Sequence, residues 1–516
     1  MVGVVILPEK ILGKLKSNIQ PQWKIAFFSA IIVGLIAHLY KITNWLPNWD
    51  SLVFRYDAQN MVSMGRWFLP VVSAPSSFYD LPWLTGLMAI VLHALGAVLI
   101  VKMLDVKKGI TAVLVGGVIA SFPTTASVMM YNYVADAYAF SFLLACLAAY
   151  LLTKNKPNYI LAVAFIALSV GIYQAYITVT IMLLLCFLIK KSLSSEEKVK
   201  SIFGCSFKFL LTGAIGMAVY YLALTVILKL TNTTLLDYQG FGDAAALSGI
   251  NIFGSLYQIK ESFLTYFFDF SNGINAFNLI NLVIFAVTIV LYLSNVIKNR
   301  LGVIKTLLVI AFVLFLPIGA SVLAFVNSSI DYHNLMKMGF VAFYLLFIIQ
   351  YEKADFKSVK LNSLKLWTVL LLSVLLIFNH IVIANVAYHK LNLSYEKSIG
   401  TLNRIADRIE QTNGAETCDS ILVIGALEGS EAYSANISLD MTGTTDSFII
   451  RADDEIVGQS VFCAALNDYC GKDYSFISGE KKTKLLERAD VSSMASWPKS
   501  SSILVVDNVI VIKLGE

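Results

Sequence analysis

The stretch LTGLMAIVLHALGAVLIVKM, residues 84–103, holds twenty residues with a single lysine near its end and no carboxylate. A helix rises 1.5 Å per residue, so a run of this length spans the roughly 30 Å hydrocarbon core of a bilayer. Similar runs recur along the whole chain, and reading outward from this one gives eleven expected spans. They lie near 25–44, 84–103, 110–130, 136–153, 158–173, 175–191, 207–230, 276–296, 303–326, 338–350 and 366–388. The 516 residues are 57% hydrophobic and 14% charged, and the mean hydropathy is +0.72. Soluble domains carry about 25% charge. In lipid the backbone must satisfy its own hydrogen bonds, so these spans are expected to be helices. The short alternating segments of a β-barrel do not appear. The net charge of +5 includes no arginine cluster suited to nucleic acid. A lysine-bearing amphipathic segment, residues 1–24, precedes the first span. That span is too long for a cleaved signal peptide and lacks an Ala-x-Ala site.

Positive charge sets an expected orientation. Lys10, Lys14, Lys16 and Lys24 precede the first span. Lys107, Lys108, Lys154, Lys156, Lys190, Lys191, Lys198, Lys200, Lys298, Arg300, Lys305, Lys353, Lys357, Lys360 and Lys365 fall in every second loop after it. The alternate loops are poor in positive charge, with Lys41, Arg55 and Arg66 in the first of them and Lys260 in a later one. The N-terminus is therefore expected in the cytoplasm. Loops 45–83, 131–135, 173–176, 231–275 and 327–337 are expected outside, and an odd number of spans carries the tail outside as well. The tail, 391–516, is richer in charge and in Asn, Ser, Thr and Gly. Leu393, Ile399, Leu402, Ile405 and Ile409 share one side of a helix over 393–412. Residues 420–424, 503–506 and 509–512 read as strands, the last two joined at Asp507-Asn508 as a hairpin. The fold class expected is a polytopic α-helical membrane protein with a small extracytoplasmic α/β domain.

Cys146, Cys186 and Cys205 lie in or beside spans and read as packing residues. Cys418, Cys463 and Cys470 fall in the tail, where one disulfide is expected, most easily between Cys463 and Cys470. Neither group has the spacing of a metal or haem site, and no cofactor is expected.

Chemistry-bearing residues concentrate in loop 45–83. Asp50 and Asp57 can each take a proton from an attacking hydroxyl. Their spacing of seven puts both on one face of a helix; solvated loop acids would look the same. Trp49, Tyr56, Trp67 and Tyr79 suit a membrane interface and also stack on sugar faces. Arg55 and Arg66 stand on the side poor in positive charge, and an arginine fork fits phosphate. Asp80 adds a third acid. Asp136 opens the fourth span as a helix cap or a site acid. Tyr173 and Gln174 form a tight turn at the same expected face. His333 and Lys337 occupy the last external loop, as proton donor and phosphate contact or as structural residues. A phosphate-binding loop, a dinucleotide fingerprint and an external Asp-x-Asp are all lacking. Nor does a pair of broken spans mark a transporter site, and the spans carry few charges.

In order and spacing, Asn48 to Trp83 with Gly65-Arg66-Trp67 and Tyr79-Asp80-Leu81-Pro82-Trp83, Asn132 to Tyr138, and Gly171-Ile172-Tyr173-Gln174-Ala175-Tyr176 resemble the GtrII-type membrane glucosyltransferases, over about residues 25–390. The resemblance implies a GT-C type glycosyltransferase working outside the cytoplasmic membrane. It implies an acid in the first external loop as base, with Asp50 carried over in that role and Asp57 as the alternate. The implied donor is a polyprenyl-phosphate sugar, undecaprenyl phosphate-glucose. The implied acceptor is O-antigen or another lipopolysaccharide-type surface glycan of the cell envelope, with companion proteins that make and flip the donor. On this reading residues 25–390 form the transferase domain, and residues 391–516 lie outside the resemblance. A lipid-linked glycan flippase is the competing class, and it would want charge along the spans. An inert scaffold would not need loop 45–83, and an acyltransferase would lean on His333 alone.

Overall fold

A computed structural model of the chain describes residues 19–54, 61–76, 79–236, 251–271, 273–330, 332–352, 358–427, 441 and 457–515. Helix α1 is Pro21–Thr43. The short α2, Trp49–Phe54, and α3, Leu69–Ser73, lie in the loop that follows. The bundle continues with α4 Pro82–Met103, α5 Gly109–Ser121, α6 Pro123–Met130, α7 Ala135–Thr153 and α8 Tyr159–Ile172. Next come α9 Ile177–Ser192, α10 Val199–Thr231, α11 Ile252–Phe268, α12 Ala276–Lys298 and α13 Val303–Ala320. A short α14, Val341–Ile348, leads to α15, Val359–Glu410.

Among the described residues nine helices are long and apolar enough to cross a membrane, which makes this a multi-pass membrane protein. Two shorter apolar helical stretches, Tyr159–Ile172 and Met338–Tyr351, stand at the other two expected positions. The helices start where the sequence gives them reason to: Pro21 and Pro82 sit in first turns, where a missing amide costs nothing. Small residues then let them approach closely. A Cβ on Gly116 would fall 2.4 Å from the Ala26 carbonyl oxygen, so α5 can touch α1 only through glycine there.

Three local features depart from the sequence reading. The expected span 110–130 is two helices, broken at Phe122, whose backbone is extended (φ −55°, ψ 137°) because Pro123 follows. The expected loop 231–275 contains α11. This helix buries Ser255, Ile259, Ser262 and Tyr266 at helical spacing while exposing Lys260, so it packs along the bundle through one face. Helix α15 runs unbroken for 52 residues, joining the last span to the tail.

The tail holds a four-stranded sheet in the order β2-β1-β4-β3. Its strands are β1 Ser420–Ile424, β2 Ser475–Phe476, β3 Ile503–Val506 and β4 Val509–Lys513. β1 runs parallel to β2 and β4, and the β3–β4 hairpin is antiparallel. Its turn is Asp507-Asn508, both at positive φ (49° and 59°), the conformation a tight two-residue turn demands. Side chains alternate between two cores. Ile421, Val423, Ile510 and Ile512 face the end of α15 and helix α16, Val457–Cys470. Leu422, Val509 and Val511 face the other side, against Leu485 of α17, Gly479–Leu486.

The expected disulfide is not formed: all six cysteines are free. Cys463 and Cys470 share helix α16, so two turns separate them by about 10.5 Å along the axis. That exceeds the roughly 7 Å between Cα atoms that a disulfide tolerates.

Candidate active site

The described parts of loop 45–81 dock onto residues 132–138, onto residues 171–174 and onto Tyr220 of α10. Asn48 caps α2, its side-chain oxygen accepting from the Ser51 amide at 3.0 Å and the Ser51 hydroxyl at 2.9 Å. That fixes the first turn, which carries Asp50. The Asp50 side chain is half-buried. Loss of hydration lifts its carboxyl to about 6, against the pull of the Arg66 charge in the other direction. The Tyr133 hydroxyl is within electrostatic range of both Asp50 and Arg66.

Arg66 is held by tyrosines. Its Nη1 donates to the Tyr138 hydroxyl at 3.1 Å, and its guanidinium lies 4.9 Å from the centroid of Tyr173. Those two rings stack at 4.7 Å and 10°. The backbone is fastened just as firmly. Gly65 turns at φ 78°, and the Arg66 amide donates to the Met61 carbonyl at 2.8 Å. Gln174 Nε2 donates to the Met64 carbonyl at 2.8 Å, and the Tyr220 hydroxyl donates to that of Gly65 at 3.0 Å. The Phe68 amide donates to the Gly171 carbonyl at 2.8 Å. Trp67 lays its indole on Gly171, where a Cβ would come within 2.7 Å of the ring. The two motifs Gly65-Arg66-Trp67 and Gly171 to Tyr176 are thus two halves of one contact.

Asp80 belongs to a neighbouring network. It is 3% exposed and accepts from Trp45 Nε1 at 2.7 Å. Its charge acts on Lys41, whose Nζ donates to the Leu46 carbonyl and to Asn132 Oδ1, both at 2.8 Å. Lys41 corrects the sequence reading, which counted it with the loop charges: it ends α1 and is fully buried. Asp136, in the first turn of α7, accepts from the Ser76 hydroxyl and from the Ala137 amide at 2.9 Å. It therefore ties the far end of the loop to the bundle. Tyr79 is 54% exposed on the surface of this loop.

His333 opens the one-turn helix Asn334–Met336 and is half-buried. Lys337 follows, its Nζ 5.4 Å from the Tyr266 ring centroid. The turn after it, Met338–Phe340, packs on the turn Gln174–Tyr176. Arg55, Tyr56 and Asp57 lie outside the described residues, as does the side chain of Trp49; α2 ends at Phe54, before Asp57. Among the described residues, no group of three or more His, Cys, Asp or Glu could hold a metal. Tyr133, Tyr138, Tyr220 and Lys41 join the site without having been singled out. Tyr138 closes the motif Asn132 to Tyr138, and its place in that run was the available signal.

An apolar bundle of membrane-spanning helices thus carries the Asp50 carboxyl, Arg66 and a pair of stacked tyrosines close together. The sequence matches the family Glucosyl transferase GtrII over residues 39–329, more than half of the chain, and the protein belongs to that family. The match spans Asp50, Arg66, Asp80, Asp136, Tyr173 and Gln174 and ends before His333, Lys337 and the tail domain. Neither a search of curated proteins nor one of solved structures returned a match.

Proposed function

We propose that this enzyme transfers glucose, with inversion, from a polyprenyl-phosphate donor such as undecaprenyl phosphate-glucose. The acceptor is a hydroxyl of a surface glycan such as O-antigen, on the outer face of the cytoplasmic membrane. The N-terminus is then cytoplasmic and the tail domain outside, and companion proteins make and flip the donor. The observation that carries this reading is the half-buried Asp50 carboxyl beside Arg66. With its carboxyl near 6, Asp50 is mostly ionised at pH 7 and still basic enough to accept a proton. As the acceptor oxygen attacks C1, its proton passes to Asp50. The C1–O bond to phosphate breaks, and polyprenyl phosphate leaves with the electron pair. Arg66, with Arg55 and Lys337, stabilises the charge gathering on that phosphate. Trp49, Tyr56, Trp67, Tyr79, Asp80, Asp136, Tyr173, Gln174 and His333 line or brace the sugar and acceptor sites.

The test is transfer of labelled glucose by the purified protein from synthetic polyprenyl-phosphate glucose to the surface glycan. Asp50→Asn should lose about 10²–10⁴ in rate while eluting as the folded protein, and Asp57→Asn should keep its activity. The reverse pattern would move the base to Asp57. Full activity in both variants refutes a loop carboxylate as base.

A further inference from the structure

Among the described residues, the buried core of the tail domain takes in Leu52 from far outside it, with Trp45 packed against it. Leu52, on α2, is 5% exposed and clusters with Leu402 and Ile405 of α15 and Val461 and Phe462 of α16. Helices α2 and α16 pack directly together. Residues two apart on a helix point about 200° apart, so burying Leu52 in the tail domain turns Asp50 toward the bundle, where Arg66 and Tyr133 lie. Two further contacts join the same bodies. The Trp45 ring is 6.5 Å from Tyr395 and 5.9 Å from Tyr469. Met441 is buried in the core of the bundle, with its sulfur 3.3 Å from Asn334 Nδ2.

We propose that the tail domain, which lies outside the family match, is a working part of the active site: it grips Leu52 and so fixes the pose of the Asp50 helix. Leu52 is then a positioning residue. This rests on Asp50 as the base, although the docking itself does not. A six-residue helix cannot hold its own shape in water. Its Asn48 cap sets one end, and its buried leucine sets its rotation. A pose error of about 1 Å at a reacting group can cost roughly a hundredfold in rate.

The experiment uses the full-length protein in lipid nanodiscs, synthetic polyprenyl-phosphate glucose and the purified glycan. Leu52→Ala should lower kcat by about ten- to a hundredfold with KM for the donor unchanged. Leu52→Met, which refills the site, should recover most of the loss. Leu52→Val gives a milder version should Leu52→Ala not be recovered folded. Leu485→Ala, which loosens the same domain from the opposite side of the sheet, should leave kcat per folded molecule unchanged. Hydrogen exchange should speed up at amides 49–54 in Leu52→Ala and not in Leu485→Ala. A wild-type kcat in Leu52→Ala, or equal losses in Leu52→Ala and Leu485→Ala, overturns the proposal. Full activity in Asp50→Asn would instead remove the base reading, and the exchange data would still decide whether the tail domain holds α2.

Discussion

Adding one methyl group at Gly171 tests whether the fit between two loops controls the chemistry. In Gly171→Ala the new Cβ would lie 2.7 Å from Trp67 Cε2 and 2.9 Å from Cζ2. Ordinary contact begins at 3.4 Å, so the indole must retreat by 3.4 − 2.7 = 0.7 Å. Trp67 has little freedom to do so alone. The Phe68 amide is tied to the Gly171 carbonyl, and Arg66 is held by the Tyr138 hydroxyl and the face of Tyr173. The strain therefore passes to the Arg66 guanidinium. Overpacking of this kind costs about 1–3 kcal/mol. If Arg66 stabilises the leaving phosphate as proposed, a displacement approaching 1 Å is expected to lower kcat by about ten- to a hundredfold. Glucose transfer measured beside thermal unfolding separates the two losses. Trp67→Phe removes the crowded half of the indole, so the double variant should regain activity that Gly171→Ala lost. Unchanged turnover in Gly171→Ala, or no relief from Trp67→Phe, would refute the idea that this contact aims Arg66.

Two further expectations concern charge. Because Asp50, as the proposed base, must be ionised and its carboxyl sits at about 6, kcat/KM should fall with unit slope as pH drops below about 6, reaching roughly a tenth of its plateau at pH 5. Arg66 holds that carboxyl down, so Arg66→Gln should move the midpoint upward; a flat profile between pH 5 and 7, or a downward move, counts against Asp50 as base. Lys41→Met strands the Asn132 and Leu46 oxygens and removes a positive charge that acts on Asp80, at a cost of about 1–3 kcal/mol. Thermal unfolding in detergent should show a clear drop, partly recovered by adding Asp80→Asn, and a neutral single variant would mean that the cluster holds nothing.

How much of this was readable in the chain depends on the distance over which each signal acts. Apolar runs act locally, so the helices were legible from hydropathy, as were the alternating strands and the Asp507-Asn508 turn. Helix α11 was missed because one turn of Lys260-Glu261 on its exposed face lowers the hydropathy that spans are found by. Pro123 was visible, yet the run around it is apolar enough to mask the break at Phe122. Asp50 and Arg66 stood out by type, but their company depends on contacts across a hundred residues, such as Arg66 with Tyr173. Lys41 looked like a loop charge because its partners Asn132 and Asp80 are remote in sequence. Leu52 carried no signal at all: a leucine in an amphipathic loop looks like any membrane-surface leucine until a domain more than 300 residues later closes over it.

The 52-residue helix α15 is about 78 Å long, well over twice the thickness of the hydrocarbon core. It has no loop at which its two ends could move independently. The tail domain is therefore set at one height and one azimuth, like a cam on a shaft. Inserting a single residue between the span and residue 402 would turn the domain by about 100° and lift it 1.5 Å, carrying its grip away from α2. Seven residues would bring the azimuth nearly back but raise the domain by about 10 Å. Length in this stalk is thus quantised, and the helix has already measured out how far the tail domain stands from the last span.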